Sequence, residues 1–396
     1  MGPLHGIRVV DFTQLMAGPL CSMLLADLGA EVVKVEPPEG DGMRALGETS
    51  IGGEASFFLS LNRNKRSVVV DLKTPGGRVI VQRLAERADV VLENFRPGTA
   101  ERLGIDYDSF RKLNSGLVYC AISGFGREGP RSKRPALDPV IQAMSGLMQL
   151  TGTPESGPLR TGFPLADFVT PLLATIGILS ALHARRETGR GQLVDLSMLD
   201  ATIFATMPRE GYYFATGQEP ERLGNEHYEI VPLNVYEAGD GRHLLVIAHS
   251  EKFWLALVAG LGEPELAEDF RFKTNADRLR HRAELNQRLA ARFREASLEE
   301  WTRRLGEAGA LFAPVRSLRE VFADPDVRRG MVVELPHPTA GQIRVLGNPI
   351  KFSATPAEVR TPPPRLGQHT RDLLRELGYS DADITGLAAQ GAVRVE

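Results

Sequence analysis

The sequence predicts an α/β protein with a doubly wound parallel sheet in a large first domain and a smaller α+β domain after it. Continuously apolar strands alternate with helical segments over residues 1–126, which is typical of a parallel sheet covered on both faces. The composition turns polar and rich in Pro and Gly around 216–232, which indicates a crossing between domains. A length of 396 residues allows two to three domains.

Within the first domain, apolar runs and their flanking Pro and Gly residues set the expected elements. The helix over 17–29, for example, has Pro19 early and Gly29 at its end. We expect strands at 7–12, 31–36, 67–72, 89–95 and 117–126, and helices at 17–29, 75–88 and 104–114.

The rest of the chain predicts a mixed second part. We expect mainly helix over 138–200 with a short strand near 192, strands at 243–249 and 308–315, helices between 251 and 311, a hairpin from 336, a linker at 360–370 and a final helix. The predicted domains are a large domain at 1–200 completed by 335–396, a linker at 201–225, and a small domain at 226–330.

Composition excludes several classes of protein. The apolar fraction of 42% and the charged fraction of 24% are those of an ordinary globular protein, and a net charge of −3 provides no global attraction to nucleic acid or to an anionic membrane. Cys21 and Cys120 form no metal-binding pattern and are expected to be buried free thiols, which fits a reducing, cytoplasmic location. The N-terminus shows no signal-peptide pattern, and the apolar stretch 168–184 predicts a buried helix rather than a membrane span.

Common hydrolytic and metal-binding motifs are missing, and so is the P-loop. There is no G-x-S-x-G, no H-E-x-x-H and no P-loop, and the eight histidines show no ligand spacing, so no metal site is predicted. Residues 7–36 resemble the start of a dinucleotide-binding fold with Glu36 at the ribose position. The turn TQLMAGP has only one glycine, however, and GFGREG at 124–129 cannot open a helix, so an NAD-dependent oxidoreductase is disfavoured.

Asp167, in PLADFVTP, allows two interpretations. Asp is a good N-cap, and Pro171 makes a helix start plausible here. Alternatively, a carboxylate at a helix N-terminus stays ionised and can serve a site. Asp138, in ALDPV, shows the same ambiguity. Two basic loops, NRNKR at 62–66 and GPRSKR at 129–134, are either solvated or sites for phosphate groups.

An ordered set of strings resembles the class III CoA-transferases, a family that also contains the 2-methylacyl-CoA racemases. The resemblance runs from about Ile7 to about Leu377 and is greatest to the transferases acting on succinyl-CoA and dicarboxylic acids. It is carried by DFTQLMAGP, GAEVVKVEPPEGD, LNRNKRSVVVDLKTPGG, ADVVLENFRPG, SGFGREGP, ALDPVIQAMSGLM, LADF, TGRGQLVDLSML and LGQHT. The glycine-rich loop of the formyl-CoA:oxalate branch has no counterpart here.

The resemblance implies a Rossmann-like CoA-binding domain and an interlaced homodimer, with each active site between the large domain of one subunit and the small domain of the other. It implies CoA thioesters and small carboxylates as substrates and no permanently bound cofactor. It places the catalytic aspartate at Asp167, which would form mixed anhydrides and an aspartyl-CoA thioester. The implied CoA-contacting residues are Leu15, Met16, Ala17, Leu72, Lys73, Asn94, Phe95, Arg96 and Arg102.

One position departs from the racemase pattern. The racemases have a histidine before the aspartate of a G-H-D segment, and here that segment is Ala136-Leu137-Asp138. Leucine cannot accept a proton, so transfer is favoured over racemisation. The alternatives that stay open are a 2-methylacyl-CoA racemase and a catalytically silent CoA-binding protein. The candidates for binding a distal substrate carboxylate are Arg44, Arg160, Arg209 and His227.

Overall fold

The structure, a computed structural model, describes residues 1–47 and 49–395. The chain divides into two compact units, each with its own core. Unit 1 comprises Met1–Met148, Arg160–Gln218 and Pro325–Glu396, and unit 2 comprises Gln149–Leu159 and Glu219–Asp324.

The strands of the described residues are numbered in chain order. They are β1 Arg8–Asp11, β2 Glu31–Glu36, β3 Ser50–Ile51, β4 Glu54–Ala55, β5 Lys65–Val70, β6 Val90–Glu93, β7 Val118–Ser123, β8 Gly152–Thr153, β9 Gly157–Pro158, β10 Leu193–Ser197, β11 Leu233–Glu237, β12 His243–Ile247, β13 Leu311–Pro314, β14 Val332–His337, β15 Gly341–Leu346 and β16 Val393–Arg394.

The α-helices are numbered in the same way, and short 3-10 helices lie at Gly42–Ala45 and Pro264–Ala267. The α-helices are α1 Ala17–Asp27, α2 Ser56–Leu61, α3 Pro75–Arg87, α4 Thr99–Leu103, α5 Tyr107–Leu113, α6 Asp138–Met144, α7 Leu147–Leu150, α8 Leu165–Thr188, α9 Met198–Phe204, α10 Arg209–Thr216, α11 Glu251–Leu261, α12 Asn275–Arg280, α13 Arg282–Phe293, α14 Leu298–Glu307, α15 Leu318–Ala323, α16 Pro325–Met331, α17 Thr370–Glu376 and α18 Asp381–Ala389.

Unit 1 contains the predicted parallel sheet. Its strand order is β10-β7-β6-β1-β2-β5-β16, and every neighbouring pair is parallel except the last. The prediction of a mixed α/β fold with a largely parallel sheet is confirmed. The antiparallel edge strand β16, which pairs Val393 with Val70, was not predicted.

Helices cover both faces of this sheet because successive strand residues point to opposite sides. On one face, Val10, Val33 and Val68 pack with α3, α5 and α17. On the other face, Val9 and Val32 pack with α1 and α8, together with the free buried thiols of Cys21 and Cys120. The continuous apolar runs of the sequence are thus explained by burial on both sides.

Helix α8 is long and apolar enough to cross a membrane by length and composition alone, with a mean hydropathy of 1.8 in its most apolar window. Core helices meet the same two criteria. One face of α8 is buried in unit 1, where Ala174, Ile178 and Ala181 join the core beside α1. The opposite face presents Phe168 and Ile176 to solvent.

Unit 2 is built on the antiparallel sheet β11-β12-β13, whose core is filled by α11, α13 and α14 with Trp254 and Trp301. Its extent differs from the predicted boundaries. The segment 149–159 groups with unit 2, and the predicted linker 201–225 contains most of α9 and all of α10 within unit 1. The transition falls at 218–219, inside the polar stretch that indicated a crossing.

The buried carboxylate of Asp27, at the end of α1, ties distant parts of unit 1 together. It accepts hydrogen bonds from Arg63 (2.6 Å), Asn64 (2.8 Å) and Asn348 (3.3 Å). Its own backbone carbonyl accepts from the N–H of Glu358. The returning C-terminal segment is therefore anchored by a charged group inside the protein.

We expect Asp27→Ala to lower the free energy of unfolding by about 3–5 kcal/mol, because Arg63 would stay buried without its counter-charge. Urea denaturation followed by circular dichroism measures the change. Asp326→Ala is the matched control, since that carboxylate pairs with Arg329 at the surface, and its effect should be much smaller. Equal losses for the two variants would contradict the role of Asp27.

Candidate active site

Asp167 lies in the first turn of α8, as its third residue. The N-cap is Pro164, which provides no side-chain cap. The interpretation of Asp167 as the N-cap is therefore wrong. Its carboxylate is partly buried, and no group of the described residues donates a hydrogen bond to it. A capping aspartate would be engaged with backbone N–H groups, whereas the carboxylate of Asp167 has no such partner among the described residues.

Asp138 performs the capping from a different helix. Its Oδ1 accepts from the N–H of Ala166 at 2.8 Å and from that of Asp167 at 3.3 Å. Its Oδ2 accepts from Gln142 Nε2 at 2.8 Å, and Gln142 Oε1 in turn accepts from the N–H of Thr161 at 3.0 Å. These hydrogen bonds satisfy the first N–H groups of α8, which have no partner inside the helix. They also fix the segment that leads into α8.

The same arrangement alters the pKa of Asp167. Burial raises that pKa from 3.8 to about 6, and the negative charge of Asp138 adds to the rise. The expectation that the helix start keeps the carboxylate ionised therefore holds only well above pH 6, because about half of the groups are protonated at that pH. A more basic carboxylate is also a stronger nucleophile, which is the property that acyl chemistry requires.

Asp167 opens onto a cavity of about 120 Å³ in unit 1, at the carboxyl ends of the parallel strands. Its walls come from the first turn of α1, the ends of β6 and β7, and the loop before α6. The lining residues are Leu15, Met16, Ala17, Asn94, Phe95, Arg96, Pro97, Ile122, Ser123, Gly124, Ser132, Arg134, Ala136, Leu137, Asp167 and Met198.

The loop before α1 has a strained backbone that a buried ion pair supports. Leu15 has φ of +64°, which is unfavourable for a side chain of its size. Its N–H donates to Asp41 Oδ1 at 3.0 Å, and Asp41 pairs with Lys34 at 2.8 Å in full burial. Lys34 also donates to the carbonyl of Thr13 at 2.7 Å. The neighbouring Gln14 is held on both its N–H and its carbonyl by the side-chain amide of Asn94, at 2.9 and 2.8 Å.

Comparison with known proteins identifies the chemistry. The family model described as CoA-transferase family III matches residues 4–370. This chain belongs to CoA-transferase family III. It is 37% identical over 396 residues to the succinyl-CoA:glutarate CoA-transferase of Mus musculus, covering 99% of this chain and 91% of that protein.

Two further relatives support the assignment. The succinate–glutarate CoA-transferase of Agrobacterium fabrum is 38% identical over 389 residues, covering 95% of this chain and 96% of that protein. Among solved structures, a CAIB/BAIF family protein from Brucella suis superimposes with a TM-score of 0.88 at 36% identity, covering 95% of this chain and 99% of that one. The predicted family and the predicted enzyme class are confirmed.

The structure of this family III CoA-transferase gathers most of the predicted site residues. Six of the nine implied CoA-contacting residues line the cavity of Asp167, and they are Leu15, Met16, Ala17, Asn94, Phe95 and Arg96. Leu72 and Lys73 line a neighbouring cavity of about 110 Å³ that shares Phe95. Arg102, on α4, is not among the described lining residues of either cavity.

The candidates for a distal carboxylate are not brought to this cavity. Arg44 is engaged with Glu36 at 2.7 Å and lies over the ring of Phe58. His227 belongs to unit 2, where its Nδ1 accepts from the N–H of Glu229. Arg160 and Arg209 are absent from the described lining. Ser123, Arg134 and Met198 also line the cavity but were not among the predicted site residues, although they lie in the quoted strings SGFGREGP, GPRSKR and TGRGQLVDLSML.

The position that separates this CoA-transferase from the racemases faces the site itself. Leu137 lines the cavity of Asp167, with 62% of its surface exposed. Leucine therefore stands in the cavity wall where the racemases have a histidine. Racemisation would need a proton acceptor there for the second face of the α-carbon.

We expect Asp167→Asn to stabilise the fold at high pH. Because the folded-state pKa is raised, the ionised carboxylate opposes folding most strongly above about pH 6, and this penalty is lost progressively as the pH falls from about 6 towards 3.8. The gain in unfolding free energy should be on the order of 1–2 kcal/mol at pH 8, with allowance for partial exposure, and smaller at pH 5.

Urea titrations at the two pH values measure this difference. Asp200→Asn is the matched control, because Asp200 is also the third residue of its helix, α9, but is exposed. An Asp167→Asn gain that is equal at pH 5 and pH 8, or no gain at all, would contradict the raised pKa.

Proposed function

We propose that this enzyme moves CoA from succinyl-CoA to a second dicarboxylic acid, with Asp167 as the covalent nucleophile. The observation that carries the proposal is the unengaged carboxylate of Asp167, with its raised pKa, facing the cavity. Among the described lining residues it is the one carboxylate. The two relatives named for succinyl or succinate and glutarate support the choice of substrates.

In the first half-reaction, an Oδ of Asp167 attacks the thioester carbonyl carbon. The tetrahedral intermediate expels CoA as a thiolate, leaving a mixed anhydride between Asp167 and the donor acid. The thiolate then attacks the aspartyl carbonyl carbon and releases the donor as a free carboxylate. Asp167 is now a CoA thioester.

The second half-reaction reverses these steps with the acceptor. The acceptor carboxylate attacks the aspartyl thioester, CoA leaves as a thiolate, and a new mixed anhydride forms. The thiolate attacks the acyl carbon of the acceptor and regenerates Asp167. Each step exchanges one activated acyl bond for another, so the energy of the thioester is retained only if water is kept away.

The negatively charged intermediates need hydrogen-bond donors. The N–H groups of Ala166 and Asp167 are already bound to Asp138, so they are not free for this role. The first turn of α1 lines the cavity, and its N-cap residue, Met16, provides no side-chain cap. The free N–H groups of that turn and its positive helix end suit an oxyanion.

CoA itself is proposed to lie along the segments 13–19, 72–77 and 94–102, which follow strands of the sheet and contain the nine implied residues. The two neighbouring cavities, joined at Phe95, support a path from Asp167 towards Leu72 and Lys73. Arg96 has no described ion-pair partner at the cavity wall, so its guanidinium suits a phosphate.

Asp167→Asn should reduce turnover by at least about a thousandfold while the protein stays folded, because the amide cannot form the anhydride. The assay mixes enzyme, succinyl-CoA and glutarate and follows glutaryl-CoA by mass spectrometry. Asp200→Asn, at the equivalent helix position, should keep turnover within a few-fold of that of the wild type.

For the wild type, kcat/KM should fall as the pH drops through about 6, because only the ionised carboxylate attacks.

A trapping experiment separates the proposal from its rivals. Wild-type enzyme incubated with succinyl-CoA and then hydroxylamine should be modified in the peptide that contains Asp167. Modification of Asp138 or of a cysteine, or normal turnover by Asp167→Asn, would reject the nucleophile. Exchange of the α-proton of a 2-methylacyl-CoA in deuterated water at a rate near turnover would favour the racemase, and binding of CoA without any turnover would favour a silent CoA-binding protein.

We also propose that the protein is a homodimer. Unit 1 exposes many large apolar side chains on three consecutive helices, and exposed apolar surface of this kind is typical of protein interfaces. Helix α10 has no buried residue at all, although it is rich in aromatic side chains. The exposed side chains are Phe168, Leu172 and Ile176 of α8, Ile203 and Phe204 of α9, Met207, and Tyr212, Tyr213 and Phe214 of α10.

We expect mass photometry to find the wild type as a dimer at nanomolar concentration. Phe204→Asp should disrupt the dimer, because a charge would be placed in an apolar interface. Phe270→Asp, a change at an exposed phenylalanine of unit 2, should leave it dimeric. A folded wild-type monomer at nanomolar concentration would contradict the proposal.

A further inference from the structure

The loop between β7 and α6 carries one of the two basic clusters found in the sequence. It contains Arg131, Lys133 and Arg134, all exposed. Of these three, Arg134 alone belongs to the described lining of the Asp167 cavity. The three cations therefore do not share one role, because Arg134 lines the cavity and Arg131 and Lys133 do not.

Close backbone packing brings Arg134 to the cavity. A Cβ atom added to Gly124 would lie 2.2 Å from the Cβ of Ala136, so only glycine allows the two ends of the loop to meet there. The N–H of Arg134 donates to the carbonyl of Arg131 at 2.9 Å, which closes a turn. The Arg134 guanidinium lies 5.9 Å from the centre of the Phe125 ring, within cation–π range.

The charge of Arg134 is not neutralised within the described part of the protein. Apart from its contact with the Phe125 ring, its guanidinium makes no ion pair or hydrogen bond with any described residue. In the same wall, the hydroxyl of Ser123 is buried, with 7% of the residue exposed, and has no hydrogen-bond partner. Buried hydroxyls elsewhere in the described structure have partners, so an unpaired one among the residues that line the same cavity as Arg134 favours a polar ligand in this cavity.

We propose that Arg134 binds the distal carboxylate of a dicarboxylic acyl group whose other end reacts at Asp167. The inference rests on the proposed function and adds the residue that selects dicarboxylates. A dicarboxylic acyl group keeps one negative charge after activation, and Asp167 repels it. A guanidinium in the same cavity supplies the opposite charge and can bind both oxygens of the carboxylate.

The test compares acceptors that differ only in the distal carboxylate, glutarate and valerate. In a ping-pong mechanism, kcat/KM for the acceptor depends only on the second half-reaction, in which the acceptor reacts with the aspartyl-CoA thioester. For Arg134→Ala, kcat/KM for glutarate should fall about 10- to 100-fold, and that for valerate should change less than about threefold. Arg134→Lys should recover part of the loss. Arg131→Ala, in the same loop, should behave as the wild type.

A second readout uses the donors succinyl-CoA and butyryl-CoA, which differ in the same group. Arg134→Ala should slow formation of the aspartyl-CoA thioester from the first donor and not from the second. Equal losses for both members of each pair, or an unchanged preference for glutarate over valerate, would overturn the assignment of Arg134. A wild type that forms no acyl-CoA from any acid would instead reject the proposed function.

Discussion

Two lysine–aspartate pairs buried beneath the first turn of α1 are the constraint on which the active site depends. Lys34 pairs with Asp41 at 2.8 Å, and Lys65 with Asp11 at 3.4 Å, and none of the four side chains is exposed. Buried charges are costly unless their hydrogen bonds are complete, and here further bonds go to Ser22 and to nearby backbone carbonyls.

The network fixes the conformation of the loop before α1, and buried ion pairs of this kind are weak evidence for a higher free energy of unfolding. It holds Leu15 in a left-handed conformation and so directs the N-terminus of α1 at the cavity. Asp11, Lys34 and Lys65 come from β1, β2 and the start of β5, which lie side by side in the sheet, and Asp41 lies in the loop after β2. The sheet thereby determines where the first turn of α1 lies, and that turn forms one wall of the cavity.

The opposite wall shows a second compromise. Asp138 accepts from the first N–H groups of α8, so the carboxylate of Asp167 is not needed for capping, but the negative charge of Asp138 also makes ionisation of Asp167 harder. A neutral cap would remove this repulsion and lower the basicity of the proposed nucleophile. Asp138 caps α8, and Asp167 faces the cavity. The two aspartates differ because their surroundings differ.

The apolar patterns determined the sheet. The runs that became β1, β2, β5, β6 and β7 are apolar throughout because both faces are covered, and this signal is local. The strand β16 has no such signal, because it is only two residues long and pairs with β5 from more than 300 residues further along the chain. The limits of the two units were likewise decided by contacts between distant segments, as the grouping of 149–159 with unit 2 demonstrates.

For the site, the sequence by itself determined which residue types were available, and its family resemblance singled out Asp167 and the loops near it. It could not assign the cap of α8 to Asp138, which precedes Ala166 by 28 residues, or distinguish Arg134 from Arg131. It equally could not exclude Arg44, whose charge is taken by Glu36. These roles depend on which groups meet in space and which charges are already paired, and the tertiary structure alone decides both, because electrostatic and hydrogen-bond energies depend on distances that chain order does not specify.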